Sequence, residues 1–270
     1  MSMQADLIAD RRRMRRRLTL WRALGVLGAL IGVLGIGYAI GGRQLLPVGM
    51  DQIARVKIEG VITGDERTLR LVREVRRARS VKAVILEIDS PGGTVSGSEA
   101  LFLAIRQLAA EKPTAAVVKG LAASGGYIAA AAADRIVAQQ TSIVGSIGVL
   151  FQIPNVTRLL DTVGVNVETI RSSPLKAAPS GFEPTSPEAR AALEAVVRDN
   201  FEWFKDLVRE RRKLSAPELA EVADGRVHTG RQGLERKLID QVGAERQAIE
   251  WLENERSVAK SLPVREWKRR

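Results

Sequence analysis

The stretch VKAVILEIDSPGG, residues 81–93, decides the fold. Its first eight residues are nearly all apolar, as expected of a strand buried on both faces in a sheet that helices cover. Asp89-Ser90-Pro91-Gly92-Gly93 then predicts a break. Pro91 fixes one dihedral and the glycines let the backbone turn, so that N–H groups can point into a cleft. Working outward, 53–62 alternates Val56 and Ile58 with Arg55, Lys57 and Glu59, a strand with one polar side. Residues 68–78 place Leu69, Val72, Val75 and Ala78 on one helical face with arginines opposite. A helix is expected over 98–110 and a short strand over 114–118. An alanine-rich helix then runs from the Ala122-Ala123-Ser124-Gly125-Gly126 turn to about residue 133. This alternation predicts parallel βαβ crossovers, whose sites gather where strands end and helices begin. Both glycine turns, 89–94 and 122–126, lie at such ends.

Farther along, short strands are expected over 135–138, 144–150 and 165–171, with a helix over 155–163. Residues 172–187, SSPLKAAPSGFEPTSP, hold four prolines and no periodicity, which predicts a long loop. Ser186-Pro187 caps an amphipathic helix with Leu193, Val196, Val197, Phe201, Phe204 and Val208 on one face, and Ser215 to Glu218 opens another helix. The expected organisation is a basic segment 1–22, an apolar segment 23–42, a linker 43–52, one α/β domain over 53–255 and a basic tail over 256–270.

At 270 residues the chain can bury a sizeable core. It has no cysteine, which excludes disulfides, thiolate catalysis and cysteine metal sites, and its one histidine, His228, excludes multi-histidine metal clusters. The net charge of +11 is concentrated at the start, where residues 1–22 hold seven arginines against Asp6 and Asp10. Residues 23–40 then carry no charge, about the minimum length of a spanning helix. The positive-inside rule puts the N-terminus in the cytoplasm and the domain outside it, as in a single-pass inner-membrane protein with a periplasmic domain. A cleaved signal peptide and a core helix are the competing readings; the length of the run disfavours the first and its glycines disfavour the second. Nucleic acid is not an expected partner, since topology accounts for much of the charge and no aromatic residues interleave with basic ones.

Three residues invite chemistry. Ser124, among small residues at a strand-to-helix turn, is either an accessible nucleophile or an ordinary N-cap. Lys176, with no carboxylate between Glu168 and Glu183, is either a solvated loop lysine or, in a dry pocket, a neutral amine able to take a serine proton. His228 is the rival base or a structural histidine. The backbone around Gly92 and Gly93 could bind a peptide carbonyl or its oxyanion, or simply turn.

Five segments in order resemble the signal peptide peptidase A family of membrane-anchored serine peptidases. They are Asp89-Ser90-Pro91-Gly92-Gly93, Ala123-Ser124-Gly125-Gly126-Tyr127, Gly145-Ser146-Ile147-Gly148-Val149, the Lys176 loop, and the run from Asp224 to Arg231. The resemblance implies a Clp-protease/crotonase-like fold and a Ser/Lys dyad, with Ser124 as nucleophile and Lys176 as general base. It also implies that Ser146 orients the lysine and that Gly92, Gly93 and Gly125 form the oxyanion hole. Neither metal nor organic cofactor is expected. The implied partners are cleaved signal peptides, membrane lipid and further copies of the chain in a ring, with the dyad completed between neighbours. His228 departs from the aromatic residue that the family pattern has there. A silent ring scaffold and a crotonase-like thioester enzyme are the alternatives of other classes, and the extracytoplasmic placement disfavours the second.

Overall fold

The computed structural model describes residues 21–22, 24–33 and 50–268. Residues 21–22 and 24–33 are helical, and the rest of the expected segments 1–22 and 23–42 lies outside the described residues. Among the described residues no helix is long and apolar enough to cross a membrane. The described residues from Asp51 onward form a compact unit of their own.

That unit opens with β1 (Gln52–Ile62), α1 (Glu66–Arg77), β2 (Val81–Gly93), α2 (Val95–Glu111), β3 (Thr114–Ala123) and α3 (Gly125–Ala131). The three strands pair in parallel, so a helix must carry the chain back across the sheet each time. Side chains start these helices: the Asp65 carboxylate accepts from Thr68 N–H at 2.9 Å, and the Thr94 hydroxyl from Gly97 N–H at 3.1 Å. Along one face of the sheet, Val56, Val84, Leu86 and Ile88 pack with Leu71, Leu101 and Tyr127 in one core.

The break expected at 89–93 does not occur. β2 runs on to Gly93, and register shifts against β1 and against β3 absorb Pro91, which has no N–H to give the ladder. The Ser90 hydroxyl bridges the irregularity, donating to Gly60 C=O at 2.6 Å and accepting from Gly92 N–H at 3.1 Å.

The later elements are β4 (Arg135–Ala138), β5 (Ile143–Gly145), α4 (Thr157–Val163), α5 (Pro187–Arg212), α6 (Ala216–Val222), β6 (Val227–Thr229), α7 (Gly230–Glu235), β7 (Gln241–Val242), α8 (Glu245–Glu255) and β8 (Val264–Trp267). The sheet order is β6-β5-β3-β2-β1-β8, with β4 on β3 and β7 on β4. It forks at β3, whose residues 115–118 pair with β4 while 121–123 pair with β5. On the second face, Ile53, Ile85 and Val117 pack on Trp251 and Leu252 of α8. At the start of α8 the same strands turn to charge: Arg55 grips Glu245 at 2.6 and 2.7 Å, and Glu87 lies 3.4 Å from Lys119.

Four further local expectations are corrected. The strand expected over 144–150 ends at Gly145. Residues 165–171 form no strand, because their alternation has no neighbouring strand to pair with, and Ile170 is 93% exposed. Residues 264–267, within the expected basic tail, form β8 and pair in parallel with β1. In α5, the Ser186 hydroxyl accepts from Ala189 N–H as expected, but the buried face is Phe204, Leu207 and Val208, and Val196 is exposed.

Candidate active site

The second branch of the fork delivers β3 to Ser124, which holds φ 50° and ψ −119°. That backbone costs a residue with a side chain about 1–3 kcal/mol and persists only where its surroundings impose it. Here Ser124 N–H donates to Gly145 C=O at 2.9 Å, while Ser124 C=O accepts from Tyr127 and Ile128 N–H at 2.9 and 3.0 Å. Ser124 occupies the N-cap position of α3, yet its hydroxyl makes no capping hydrogen bond. The reading of this serine as an ordinary cap therefore fails, and the oxygen is left for other chemistry.

Helix α3 is buried along its length and its far end is closed by arginines. Arg211 donates to the carbonyls of Ala131 and Ala133 at 2.8 and 2.9 Å, and Arg106 donates to that of Ala132 at 2.8 Å. These bonds satisfy carbonyls that a helix end otherwise leaves unpaired. Burial is the first cause that pulls the Arg211 pKa down, and neighbouring Arg106 adds to it.

Ser124 lines a cleft of about 510 Å³ with Gly93, Gly125 and Ser146, walled by Ile128, Leu150, Trp203 and Phe204. The backbone segments around Ser124 approach too closely for side chains. A Cβ on Gly92 would lie 2.9 Å from that of Ser124, and one on Gly125 would lie 2.1 Å from Ser98 Oγ and 3.2 Å from Gly93 N. Ser146 also has a positive φ, 52°, and its N–H donates to Arg226 C=O at 2.9 Å.

The fold thus gathers Ser124, Gly92, Gly93, Gly125 and Ser146 in one place. It does not bring Lys176 there within one chain. Lys176 is exposed, in a turn closed by its N–H to Ser173 C=O at 3.0 Å, and it is not among the residues lining the cleft. His228 is no base for this cleft either. It is 3% exposed on β6, opposite Val144 of β5, and does not line the cleft. Its Nε2 is buried without a hydrogen-bond partner, and burial, reinforced by Arg236 and Arg226 against the opposing Asp224, lowers its pKa. Among the described residues no group of three or more His, Asp or Glu side chains could hold a metal ion.

Several residues of the site escaped the sequence reading as site residues. Ser90 stood inside a quoted motif but without a role of its own, since its hydroxyl acts on Gly60 across the sheet, and no local pattern announces Ser98, which Gly125 must make room for. Trp203 and Phe204 did leave a signal, adjacent aromatics in a chain only 4% aromatic, but Phe204 was read only as part of an apolar helix face and Trp203 was not singled out.

Comparison with known proteins identifies the family. Residues 106–259, which include Ser124, Ser146 and Lys176, match the sequence profile of Peptidase family S49. A protein of Synechocystis sp. is 35% identical over 202 residues, which cover 74% of this chain and 73% of that protein. The chloroplastic serine protease SPPA of Arabidopsis thaliana is 34% identical over 74% of this chain and 32% of its own length. Protease 4 of Haemophilus influenzae is 30% identical over 74% of this chain and 34% of its own.

Proposed function

Because the chain belongs to peptidase family S49 and is a serine peptidase, we propose that it hydrolyses peptide bonds with Ser124 as nucleophile and Lys176 as general base. The observation that carries the proposal is the Ser124 hydroxyl, unspent as a cap and held at a strained backbone beside Ser146 in an apolar-walled cleft. In this mechanism the neutral amine of Lys176 takes the hydroxyl proton while Ser124 Oγ bonds to the scissile carbonyl carbon. The amides of Gly93 and Gly125 donate to the oxyanion, and Gly92 holds that segment against Ser124. The amine then returns the proton to the leaving nitrogen, the C–N bond breaks, and water activated by the same lysine hydrolyses the ester. Ser146 orients the amine.

We further propose that residues 23–42 anchor the protein in the inner membrane, with residues 1–22 cytoplasmic and the domain periplasmic. The substrates are then cleaved signal peptides, whose apolar side chains suit Ile128, Leu150 and Trp203. Lys176 reaches the cleft of a neighbouring copy in a ring. Supporting assembly, the segment between β5 and α5 exposes Leu150, Phe151, Leu159, Val163, Ile170 and Phe182, all 53% exposed or more.

A fluorophosphonate probe combined with a peptide-cleavage assay tests the dyad. The probe should label Ser124 only, and turnover should vanish in both Ser124→Ala and Lys176→Ala and climb with pH through the alkaline range in the parent. Full turnover in either variant overturns the assignment, and no labelling and no cleavage in the assembled protein favours a silent scaffold.

A further inference from the structure

Seven basic residues crowd positions 66–82 against only Glu66 and Glu74. Thr68, Leu71, Val72 and Val75 of α1 are buried, which leaves Arg70, Arg73 and Arg77 on its solvent face. Arg73 pairs with Glu66, Arg76 with Glu111 at 3.6 Å and Lys82 with Asp51 at 3.2 Å. Arg67, Arg70, Arg77 and Arg79 are exposed and have no ion-pair partner among the described residues. Like charges three and four residues apart on a helix repel, so this stripe destabilises α1 unless an anionic partner meets it.

The location of the stripe indicates the partner. Gln52 N–H donates to Ser80 C=O at 2.8 Å, so the chain comes into the folded unit one residue from Arg79. Nine residues, 43–51, separate that point from the uncharged segment, an extended reach of about 30 Å. This is the edge where the parallel strands begin. Ser124 follows the last residue of the ten-residue β3, which sets it about 30 Å away along the strand.

We propose that this edge, together with the solvent face of α1 that rises from it, is a docking surface for a bilayer of anionic phospholipid, with Arg77 and Arg79 at the edge and Arg70 about two turns up the helix meeting headgroup phosphates and the cleft held on the side away from the membrane. The guanidinium fork matches phosphate oxygens two at a time, and basic residues beside a membrane segment are drawn to anionic lipid. The proposal rests on the reading of residues 23–42 as an anchor. The nearness of that segment is what favours a bilayer over a soluble polyanion.

The full chain has no cysteine, so Glu74→Cys on α1 and, separately, Thr63→Cys just past the end of β1 each give one labelling site. Each labelled protein is placed in vesicles of phosphatidylcholine alone or with phosphatidylglycerol, both carrying a headgroup-linked quencher. At residue 74, quenching should be roughly three-fold stronger with phosphatidylglycerol and should fall to the phosphatidylcholine level in about 0.5 M salt; at residue 63 it should not differ between the lipids. The Arg70→Gln/Arg77→Gln/Arg79→Gln protein should lose the difference and the corresponding lysine triple variant should keep it, which separates charge from misfolding. Equal quenching at residue 74 in both lipids, or an unchanged response in the glutamine variant, overturns the proposal. Co-flotation with pure phosphatidylcholine vesicles tests the anchor alone, and none of these readouts needs turnover, so failure of either other reading is distinguishable.

Discussion

Ser124 keeps a backbone that its side chain disfavours, with φ at 50° and ψ at −119°. Replacing it with glycine removes both the proposed nucleophile and the strain. Ser124→Gly should therefore abolish cleavage yet raise stability by about 1 kcal/mol, read as a higher urea midpoint, whereas Ser124→Ala should lose cleavage without that gain. Next to it, Gly125 leaves room for Ser98, whose hydroxyl donates to Thr94 C=O at 2.8 Å. Gly125→Ala should cost both activity and stability, since its Cβ would begin 2.1 Å from Ser98 Oγ, and adding Ser98→Ala should recover part of each. Urea titration and peptide cleavage of the single and double variants check this. Ser124 was legible because its small neighbours and the following glycines mark a strand-to-helix turn. Ser98 was not, because its role lies in a contact 27 positions away that only the assembled core creates.

Two short strands and one helix set the geometry of the site. β6 pairs His228 with Val144 of β5, and β5 in turn accepts Ser124 N–H at Gly145. Since His228 has a lowered pKa in the fold, the unfolded chain takes up a proton first as pH falls below about 6.5. Stability should thus be full above that pH and decline as pH falls toward the folded pKa. His228→Phe should remove this part of the decline when urea midpoints at pH 7.5 and 5.5 are compared. At the far end of α3, Arg211→Met should leave the carbonyls of Ala131 and Ala133 without partners and cost about 2–3 kcal/mol, measurable by the same titration. β2 and β3 were readable because a strand buried on both faces is a run of apolar residues, as at 83–86, and β1 because Arg55, Lys57 and Glu59 alternate with apolar residues. Residues 165–171 misled because their alternation has no sheet to face. β8 was missed because four residues, Val264–Trp267, are too few to show a period among basic neighbours.

At the scale of the whole molecule, the separation between Lys176 and the cleft within one chain and the apolar residues exposed between β5 and α5 lead to the same experiment. If copies complete one another's sites, a mixture of Ser124→Ala and Lys176→Ala proteins, each inactive, should regain cleavage after subunit exchange, up to about one quarter of the parent rate in a random two-partner mixture. Activity that stays absent in mixed assemblies, with exchange verified, would count against a shared dyad. The forked sheet also bears on how the protein is made. The carbonyl that holds Ser124 belongs to Gly145, and β5 leans on residues 227–229, about a hundred positions downstream of the serine. On the reading of Ser124 as nucleophile, the strand that holds its backbone gains its own partner only once synthesis has passed residue 229, so the site is completed late.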